Sequence, residues 1–446
     1  MKKHDAMLAA FLSLAGCLPA FAQSPAQTSE QETWSLHGQA TFVEQYHPAF
    51  KSAYLGPNSM DPESTGRETV DLTLYAGFRL WQGGEVYANP EIDQGFGLSN
   101  TLGAAGFPSG EAYKVGKSSP YFRLQRLFFR QTFNLGGDLG GGIENVEAGP
   151  NQLGGVRTVN NLVLTGGKIS PTDIFDTNAY AHDPKSDFLN WSLIDAGAFD
   201  YAADAWGYSY GIAGEWTQDW WTLRAGLFNL SRVPNTTELE RDFNQFEVVA
   251  EAEGRHTILG KPGKIKLLGF LNRGRMGGYA DAVRLAQARG TLPDMVPVRR
   301  TASRPGGALN IEQQLSDDIG GFARFSLNDS SKEAYEFTEI NRSLALGLSV
   351  KGAVWGRPDD VWGVAGVVNA LSNPAKTYFA AGGMGILIGD GQLRRYGTEN
   401  IVEAYYSFAA TDRFRISADY QLIVNPAYSR DRGPISVLGF RLHGEF

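Results

Sequence analysis

The chain has 446 residues, of which 42% are hydrophobic and 20% are charged, and its formal net charge is −8. Its mean hydropathy of −0.25 gives no indication of a membrane, but strands that alternate apolar and polar residues average to neutral even inside a bilayer. No apolar run long enough for a spanning helix follows the N-terminus, which excludes a helical membrane protein. The 54 glycines and 12% aromatic residues favour short strands and tight turns.

The N-terminus has the features of an export signal. The positive start "MKK" precedes an apolar run and the small-x-small site "AFA", which ends at Ala22. We therefore expect a signal peptide at residues 1–22 and a flexible polar leader at 23–33. The alternative is a lipoprotein cleavage site at Cys17. This residue is the only cysteine, so a chain cut after Ala22 has no disulfide, cysteine nucleophile or thiolate metal site.

Apolar residues recur at every second position in segments along the whole chain. The pattern is clear in "TVDLTLYAGFRLW", where the apolar residues alternate with Asp71, Thr73, Tyr75 and Arg79. It returns in "FEVVAEAEGR", "NRSLALGLSVKG" and "DRFRISADYQLI". A period of two predicts strands with one apolar and one polar face. Any one of these segments also fits half of a soluble β-sandwich.

The connections between the strands distinguish a barrel from a sandwich. Short turns occur at "WQGGE", "TQDW", "LSDDI", "GRPDD" and "AATDR". Long Pro- and Gly-rich insertions alternate with them, at roughly 47–66, 93–119, 170–204, 275–303 and 371–397. Such sorting is typical of a transmembrane barrel with tight turns on one rim and long loops on the other. The sequence therefore predicts an all-β, antiparallel, up-and-down barrel of about 16 strands.

The C-terminal segment "GPISVLGFRLHGEF" alternates apolar and polar residues up to the final Phe446. An exposed strand edge normally carries features that prevent association with other chains, and this one carries none. In a closed barrel this strand pairs with the first one, near "WSLHGQATFVEQY", and no edge remains. Phe446 then lies at the periplasmic interface, where aromatic rings are favoured.

Several stretches resemble the carbohydrate-selective porins of the OprB family. They include "LWQGGEVYANPEIDQGFGLSNTLGAAGFPSGEAYKVG", "RLFFRQTFNLGG", "GGKISPTDIFDTNAYAHDPKSDFLNWSLIDAGAFDYAAD", "GKIKLLGFLNRGRMGGYADA" and "DYQLIVNPAYSRDRGPISVLGFRLHGEF". The resemblance implies a sixteen-stranded porin domain at residues 34–446 in the bacterial outer membrane, through which neutral sugars diffuse passively and selectively. Its expected partners are sugars, outer-membrane lipid and the barrel-assembly machinery, with Phe446 as an assembly signal.

A pore that selects sugars needs fixed donors and acceptors for hydroxyl groups and an aromatic plane for the apolar sugar face. In "RLFFRQTF" the apolar face predicts that Arg126 and Arg130 point into the lumen, about 13 Å apart along the strand. Paired inward charges of both signs would orient a dipolar solute. Alternatively, each charge could be hydrated in a wide lumen without a selective role, or it could form a structural ion pair. The other inward candidates are Arg79, Arg224, Glu91, Glu247 and Glu251.

The insertion at 170–204 is the candidate constriction loop because it is long and rich in both polar and aromatic residues. We expect it to fold into the lumen and to present Trp191 as the sugar-stacking plane, although packing of Trp191 against the wall is the common alternative. A calcium loop is not expected, because the glycine and distal glutamate of an EF-hand are missing. The polar candidates are Asp173, Asp176, Asn178 and Asn190.

Other functions remain as alternatives. The inward arginines also fit a porin for small anions or organic acids, or a general diffusion porin, whereas the inward glutamates and the net charge oppose anion selectivity. A barrel enzyme such as a lipid hydrolase lacks a convincing Ser/His/acid set, so we expect no enzyme. A soluble sugar-binding β-domain is a third alternative. We expect no cofactor, no metal and no nucleic-acid partner, and both a monomer and a trimer fit the sequence.

Overall fold

The computed structural model describes residues 31–112, 115–136 and 142–446. The predicted signal peptide at 1–22 lies outside the described residues, and so does the predicted leader up to residue 30. The last residues of the predicted leader, 31–33, are described and form backbone hydrogen bonds. Glu32 N–H donates to Gly154 O at 3.1 Å, and Thr33 O accepts from Arg79 N–H at 2.8 Å. None of the helices in these described ranges is long and apolar enough to cross a membrane.

In the described residues, sixteen strands close into an antiparallel barrel, which confirms the predicted fold. A two-stranded hairpin of β5 and β6 lies outside the barrel sheet. The strands are β1 (Trp34–His47), β2 (Thr65–Trp81), β3 (Gly84–Gly95), β4 (Tyr121–Asn134), β5 (Ile143–Val146), β6 (Gly155–Thr158), β7 (Asn161–Ile169), β8 (Ser209–Gln218), β9 (Trp221–Asn229), β10 (Phe246–Ile258), β11 (Lys261–Met276), β12 (Arg300–Gln314), β13 (Ile319–Asn328), β14 (Arg342–Lys351), β15 (Val361–Ala370), β16 (Glu399–Thr411), β17 (Phe414–Val424) and β18 (Ile435–Glu445). The helices are α1 (Trp191–Ile194), α2 (Tyr279–Arg289) and α3 (Asn373–Ala380).

The barrel closes where the last strand meets the first. β18 pairs antiparallel with β1, with Leu442 opposite Phe42. Phe446 continues this pairing, because its N–H donates to Gly38 O at 2.8 Å and its carbonyl accepts from Gly38 N–H at 2.7 Å. Every barrel strand therefore has two neighbours, and the apolar C-terminal strand has no free edge.

The period-two pattern separates the two faces of the barrel wall. On β2, Leu74 and Phe78 are exposed on the outer face, whereas Asp71, Thr73 and Tyr75 are buried on the inner face. Outward apolar side chains form a band that suits hydrocarbon, and inward polar side chains surround the lumen. Large exposed outward residues of this band also include Leu267, Phe325, Leu344, Leu346 and Val402.

The connections sort onto two rims, as predicted, except that the long connection between β4 and β7 lies on the rim that carries the short turns. We call one the short-turn rim; its turns lie at 82–83, 219–220, 259–260, 315–318, 352–360 and 412–413. The other, the long-loop rim, carries the segments 48–64, 96–120, 170–208, 230–245, 277–299, 329–341, 371–398 and 425–434. Exposed tryptophans gather near the short-turn rim, as expected at a membrane interface; they are Trp34, Trp81, Trp216, Trp220, Trp355 and Trp362.

The segment between β7 and β8, residues 170–208, folds into the barrel, and we call it the lumen insert. Asp176 pairs with Arg324 of β13 at 3.3 Å. Asn190 donates to Gln421 of β17 at 3.0 Å. Arg441 of β18 donates to Pro184 O at 2.6 Å. These contacts hold the insert against the wall formed by β12–β18, as the prediction of a loop folded into the lumen requires.

A second loop, residues 96–120, also enters the lumen, which the sequence did not indicate. The N–H groups of Ala105 and Gly106 donate to the Glu399 carboxylate at 3.0 and 2.6 Å. The carbonyl of Pro108 accepts from Gln45 of β1 at 2.8 Å. The two inserted segments meet where the ring of Phe107 stacks on Trp191, with ring centroids 5.0 Å apart. Together they leave open space mainly beside the wall of β2–β4.

Candidate functional site

A cavity of about 300 Å³ lies between the lumen insert, the 96–120 loop and the wall of β1–β4. Charged, aromatic and hydroxyl groups all reach it. Its titratable and aromatic lining residues include Tyr75, Glu91, Glu111, Arg126, Asp173, His182, Asp183, Lys185, Trp191, Asp195, Trp206 and Tyr208. The cavity borders both inserted segments and the barrel wall, and we treat it as the candidate site.

Arg126 reaches this cavity because of a β-bulge. Pro90 of β3 has no N–H for the sheet ladder, and the register shifts there, so that Asn89 pairs with Arg126 and Pro90 with Leu124. The extra residue, Gln125, lets both it and Arg126 face inward. Below the bulge, Leu127 is exposed on the outer face and Phe128 is buried inside.

Arg126 and Asp173 form a two-pronged ion pair across the cavity. Nε donates to Oδ2 at 2.8 Å and Nη2 donates to Oδ1 at 2.6 Å. This fork geometry is the strongest form of an Arg–carboxylate contact. Burial acts to raise the pKa of Asp173, but the Arg126 guanidinium holds this pKa below its ordinary value. The predicted wall residue and the predicted loop residue therefore meet, and both remain charged.

Lys185 of the lumen insert is the second cation of the cavity. Its Nζ lies 2.9 Å from Asp71 Oδ1 and 2.6 Å from Glu111 Oε2. Burial acts to lower the pKa of Lys185, but the carboxylates of Asp71 and Glu111 raise it well above its ordinary value. The ammonium group thus joins three parts of the molecule: β2, the 96–120 loop and the insert.

Glu91 lies on the same wall as these charged groups. Its carboxylate accepts from Thr73 Oγ1 at 2.6 Å and from Gln125 Nε2 at 3.1 Å. Only 3% of the residue is exposed. Because both carboxylate oxygens are held by neighbouring strands, Glu91 offers a fixed negative charge, as the prediction of an inward acid at this position supposed.

Aromatic rings line the cavity beside the charges. The Arg123 guanidinium lies 3.3 Å from the ring centroid of Trp206, and Trp206 Nε1 donates to Tyr121 Oη at 3.0 Å. Tyr208 lies 5.0 Å from the Arg126 guanidinium. Trp191, the predicted stacking plane, touches the cavity but is 8% exposed, because its ring packs on Phe107 and on Phe337. Trp206 and Tyr208 are the more open rings.

His182 and Asp195 are two further polar groups of the cavity, and they do not form a charged pair with each other. His182 Nδ1 lies 3.8 Å from Asp195 Oδ1. Burial raises the pKa of Asp195 to about 8, with the nearby Asp176 adding to the shift. Burial and Arg324 lower the pKa of His182. Both side chains are therefore largely uncharged at neutral pH, and neither adds a charge to the lining.

The other residues predicted for the insert anchor it to the wall. Asp176 is 1% exposed and accepts from Asn310 Nδ2 at 2.7 Å. Asn178 donates to Asn310 Oδ1 at 2.7 Å. Asn190 caps α1, because its side chain accepts from Ser192 N–H at 3.1 Å. These three residues fix the shape of the insert and do not line the cavity.

Three predicted wall residues lie behind the insert, away from the cavity. Arg224 contacts Glu251 at 2.8 Å and Glu253 at 3.0 Å. Glu251 also accepts from Asp176 N–H at 2.8 Å, and Glu247 is fully buried. Their inward orientation is as expected, but the insert covers this side of the lumen. The structure therefore gives them a role in holding the insert.

Arg79 and Arg130 lie at the opposite end of the lumen, near the short-turn rim. Arg79 pairs with Glu85 at 2.9 Å. Arg130 donates to the carbonyl of Asn151 at 2.8 Å, in the segment between β5 and β6. Neither side chain lines the cavity, so Arg126 reaches it and Arg130, the other predicted inward arginine of β4, does not.

Lys185, Glu111, Tyr75, Trp206 and Tyr208 were not singled out by the sequence. One signal was present for Lys185, which is the only lysine or arginine between Lys168 and Arg224. A single cation in a long acidic insertion is a candidate ion-pair partner. Glu111 had no such signal, because nothing in the sequence showed that the 96–120 loop enters the lumen.

The described part of the chain holds no group of three or more His, Cys, Asp or Glu side chains that could bind a metal ion. The side chains that line the cavity offer hydrogen bonds, ion pairs and aromatic ring faces.

Comparison with known proteins places this chain among channels. Residues 58–446 match the family model described as the carbohydrate-selective porin, OprB family. A comparison with curated protein sequences gave no significant match.

Solved structures show the same fold. The high-pH structure of OprB from Pseudomonas putida superposes with a TM-score of 0.70 at 14% identity, over 93% of this chain and 94% of that one. The low-pH structure of the same protein gives a TM-score of 0.51 at 13% identity, over 93% of each chain. The outer membrane channel DcaP of Acinetobacter baumannii gives 0.50 at 10% identity, over 93% and 97% of the two chains. At such low identities the likeness is one of fold.

Proposed function

Because this chain belongs to the carbohydrate-selective porins of the OprB family, we propose that its sugar passes through the cavity lined by Arg126, Asp173 and Lys185. The protein is a sugar-selective channel of the bacterial outer membrane, with the short-turn rim in the periplasm and the long loops outside. The observation that carries the proposed site is the meeting of paired charges and open aromatic rings in one cavity of about 300 Å³.

The paired charges suit a neutral solute rich in hydroxyl groups. A hydroxyl group both donates and accepts, so it can donate to Asp173 or Glu111 while accepting from Arg126 or Lys185. Each cation already has a carboxylate within 3 Å, so the lining holds both signs and neither of these cations is unpaired. A pore lined by one sign would select ions instead. The sugar moves down its gradient, exchanging these contacts one at a time.

The aromatic rings complete the site for a sugar. The C–H face of a pyranose is apolar and packs on an aromatic plane. Tyr208 lies beside Arg126 and Trp206 lies beside Arg123, and both rings line the cavity. A sugar ring can thus lie against one of these planes while its hydroxyl groups reach the charged pairs.

The size of the cavity indicates the size of the solute. Sites for small organic molecules begin at about 300 Å³, which is the volume found here. We infer that a single sugar ring fits between the insert and the β2–β4 wall, and that longer sugars enter slowly. Monosaccharides are therefore the proposed substrates.

Arg126 provides a direct test of the site. We expect Arg126→Ala to slow monosaccharide entry into proteoliposomes roughly tenfold, since a charge-assisted hydrogen bond contributes about 1.5–3 kcal/mol. Arg284→Ala is the matched control, because Arg284 is an exposed arginine of α2 that lies outside the cavity. Swelling rates for a panel of sugars measure both effects. Unchanged rates and an unchanged ranking of sugars in Arg126→Ala would remove this residue from the selective site.

The family and the fold are those of channels, and we propose no catalytic role for the lumen residues. The alternative substrates, small anions or organic acids, would need cations without carboxylate partners at the narrow point. Arg126 and Lys185 are both paired, which favours sugars.

We also propose that Phe446 is the signal read by the barrel-assembly machinery. Its ring lies over Gly38, where a Cβ would come within 2.3 Å of Phe446 Cε2. The last residue thus sits at the seam of β1 and β18. Deletion of Phe446 is expected to lower the amount of folded barrel in the outer membrane several-fold, measured by the heat-dependent shift of the band on a gel. Equal amounts of folded barrel would contradict this role.

Cleavage of an export signal after Ala22 stays a prediction.

A further inference from the structure

The connection between β4 and β7 carries a hairpin into the lumen from the periplasmic end. β5 and β6 pair with Val146 opposite Gly155, and the segment between them, residues 147–154, is called the hairpin tip. Asn151 of the tip accepts from Asn89 Nδ2 and, through its backbone carbonyl, from Arg130 Nη1, both at 2.8 Å. These donors are inward side chains of β3 and β4.

Two further wall residues hold the same tip. Leu153 N–H donates to Tyr87 Oη at 3.1 Å, and Arg79 Nη2 donates to Gly154 O at 3.3 Å. Leu153 is 2% exposed, although it lies in a connection between strands. Side chains from β2, β3 and β4 thus all bind the tip, which therefore lies inside the barrel wall.

The tip sits directly below the sugar cavity. Tyr87, Asn89 and Glu91 follow one another along the inner face of β3, and successive inward residues on a strand are about 7 Å apart. Glu91 lines the cavity, whereas Asn89 and Tyr87 bind the tip. A solute that leaves the cavity toward the periplasm therefore meets the tip next.

The space between the tip and the wall is too small for a sugar. It is a cavity of about 60 Å³ whose lining includes Arg79, Arg130 and Leu153. Such a volume admits only a few water molecules and is far below the roughly 300 Å³ of a small-molecule site. Solutes must therefore pass on the far side of the tip, where it takes up part of the cross-section.

We propose that the hairpin tip is a second constriction, which limits flow and solute size at the periplasmic end of the channel. The arginines Arg79 and Arg130 then position this element and do not contact the solute. The inference depends on the protein being a channel and is independent of which residues select the sugar above it.

Shortening the hairpin tests the size limit. Residues 147–154 are replaced by Asn-Gly, a two-residue turn that can join Val146 to Gly155 and keep β5 and β6 paired. We expect the single-channel conductance to rise about 1.5-fold or more, and disaccharide entry to rise more than monosaccharide entry. Unchanged conductance and an unchanged ratio of the two rates would overturn the proposal.

A charge placed on the tip gives a second test that leaves the hairpin intact. Gln152 is an exposed residue of the tip that borders the 60 Å³ space. Gln152→Lys is expected to shift the ratio of cation to anion permeability toward anions, and Gln152→Glu toward cations. Asp412→Asn, an equal change of +1 on a turn of the same rim, is the matched control and should have little effect.

The two tests separate this inference from the sugar site. Ion permeability depends on the tip charge even if the sugar contacts are assigned wrongly. Opposite shifts for the two Gln152 variants support a tip in the conduction path. If both Gln152 variants have the same ratio of cation to anion permeability as the unmodified protein and Asp412→Asn, the tip lies outside the path and the proposal fails.

Discussion

Replacement of Lys185 by methionine is expected to make the channel cation-selective. The Lys185 ammonium pairs with Asp71 and Glu111, at 2.9 and 2.6 Å, and Glu91 lies on the same wall. Without it, the excess of acidic over basic side chains at the cavity increases. One uncompensated negative charge at about 4 Å lowers the energy of a passing potassium ion and raises that of a chloride ion by about 1 kcal/mol each in water, so the ratio of potassium to chloride permeability should rise by up to roughly thirtyfold.

Reversal potentials across a planar bilayer in a salt gradient measure this ratio. Lys185→Arg is the matched control, because it keeps the charge near both carboxylates. A Lys185→Met channel with the permeability ratio of the unmodified protein would show that this cation does not border the conduction path.

Replacement of Asp176 by alanine is expected to open the lumen. Asp176 accepts from Asn310 Nδ2 at 2.7 Å and from Ala196 N–H at 2.6 Å, and it pairs with Arg324. Breaking a buried ion pair by removing one partner costs about 3–5 kcal/mol. The lumen insert should then detach from the wall, conductance should rise about twofold or more, and the ratio of disaccharide to monosaccharide entry should rise.

Asp176→Asn separates charge from shape. Asparagine keeps the left-handed backbone conformation that Asp176 adopts, with a φ of 56°, so we expect a smaller effect than for alanine. Asp242→Ala, which removes an exposed carboxylate on the long-loop rim, should leave the channel unchanged. If Asp176→Ala conducts and excludes disaccharides like the unmodified protein, the insert is not held by this residue.

The barrel itself was predictable because each strand contacts hydrocarbon with one face and the lumen with the other. Leu74 and Phe78 face hydrocarbon while Tyr75 faces the lumen, and this alternation is visible without any tertiary information. The sorting of short and long connections then separated a barrel from a sandwich. β5 and β6 were not predicted, because four-residue strands are too short to show the alternation of apolar and polar residues.

The candidate site was predictable only in part. Arg126 and Asp173 were identified separately, as a wall residue and as a loop residue, and their contact depends on how the insert folds. The inward orientation of Arg224 and Glu251 was readable from β9 and β10. The sequence did not show that the insert would cover them. The wall against which the insert packs is decided by buried contacts such as Asp176 with Arg324.

Single-channel current in potassium chloride, with and without a monosaccharide, tests most directly whether sugars are selected at the cavity. We expect weak ion selectivity and brief current blockades by the sugar, which become rarer in Arg126→Ala. Strong anion selectivity with no blockade by any sugar would contradict a sugar site built from paired charges.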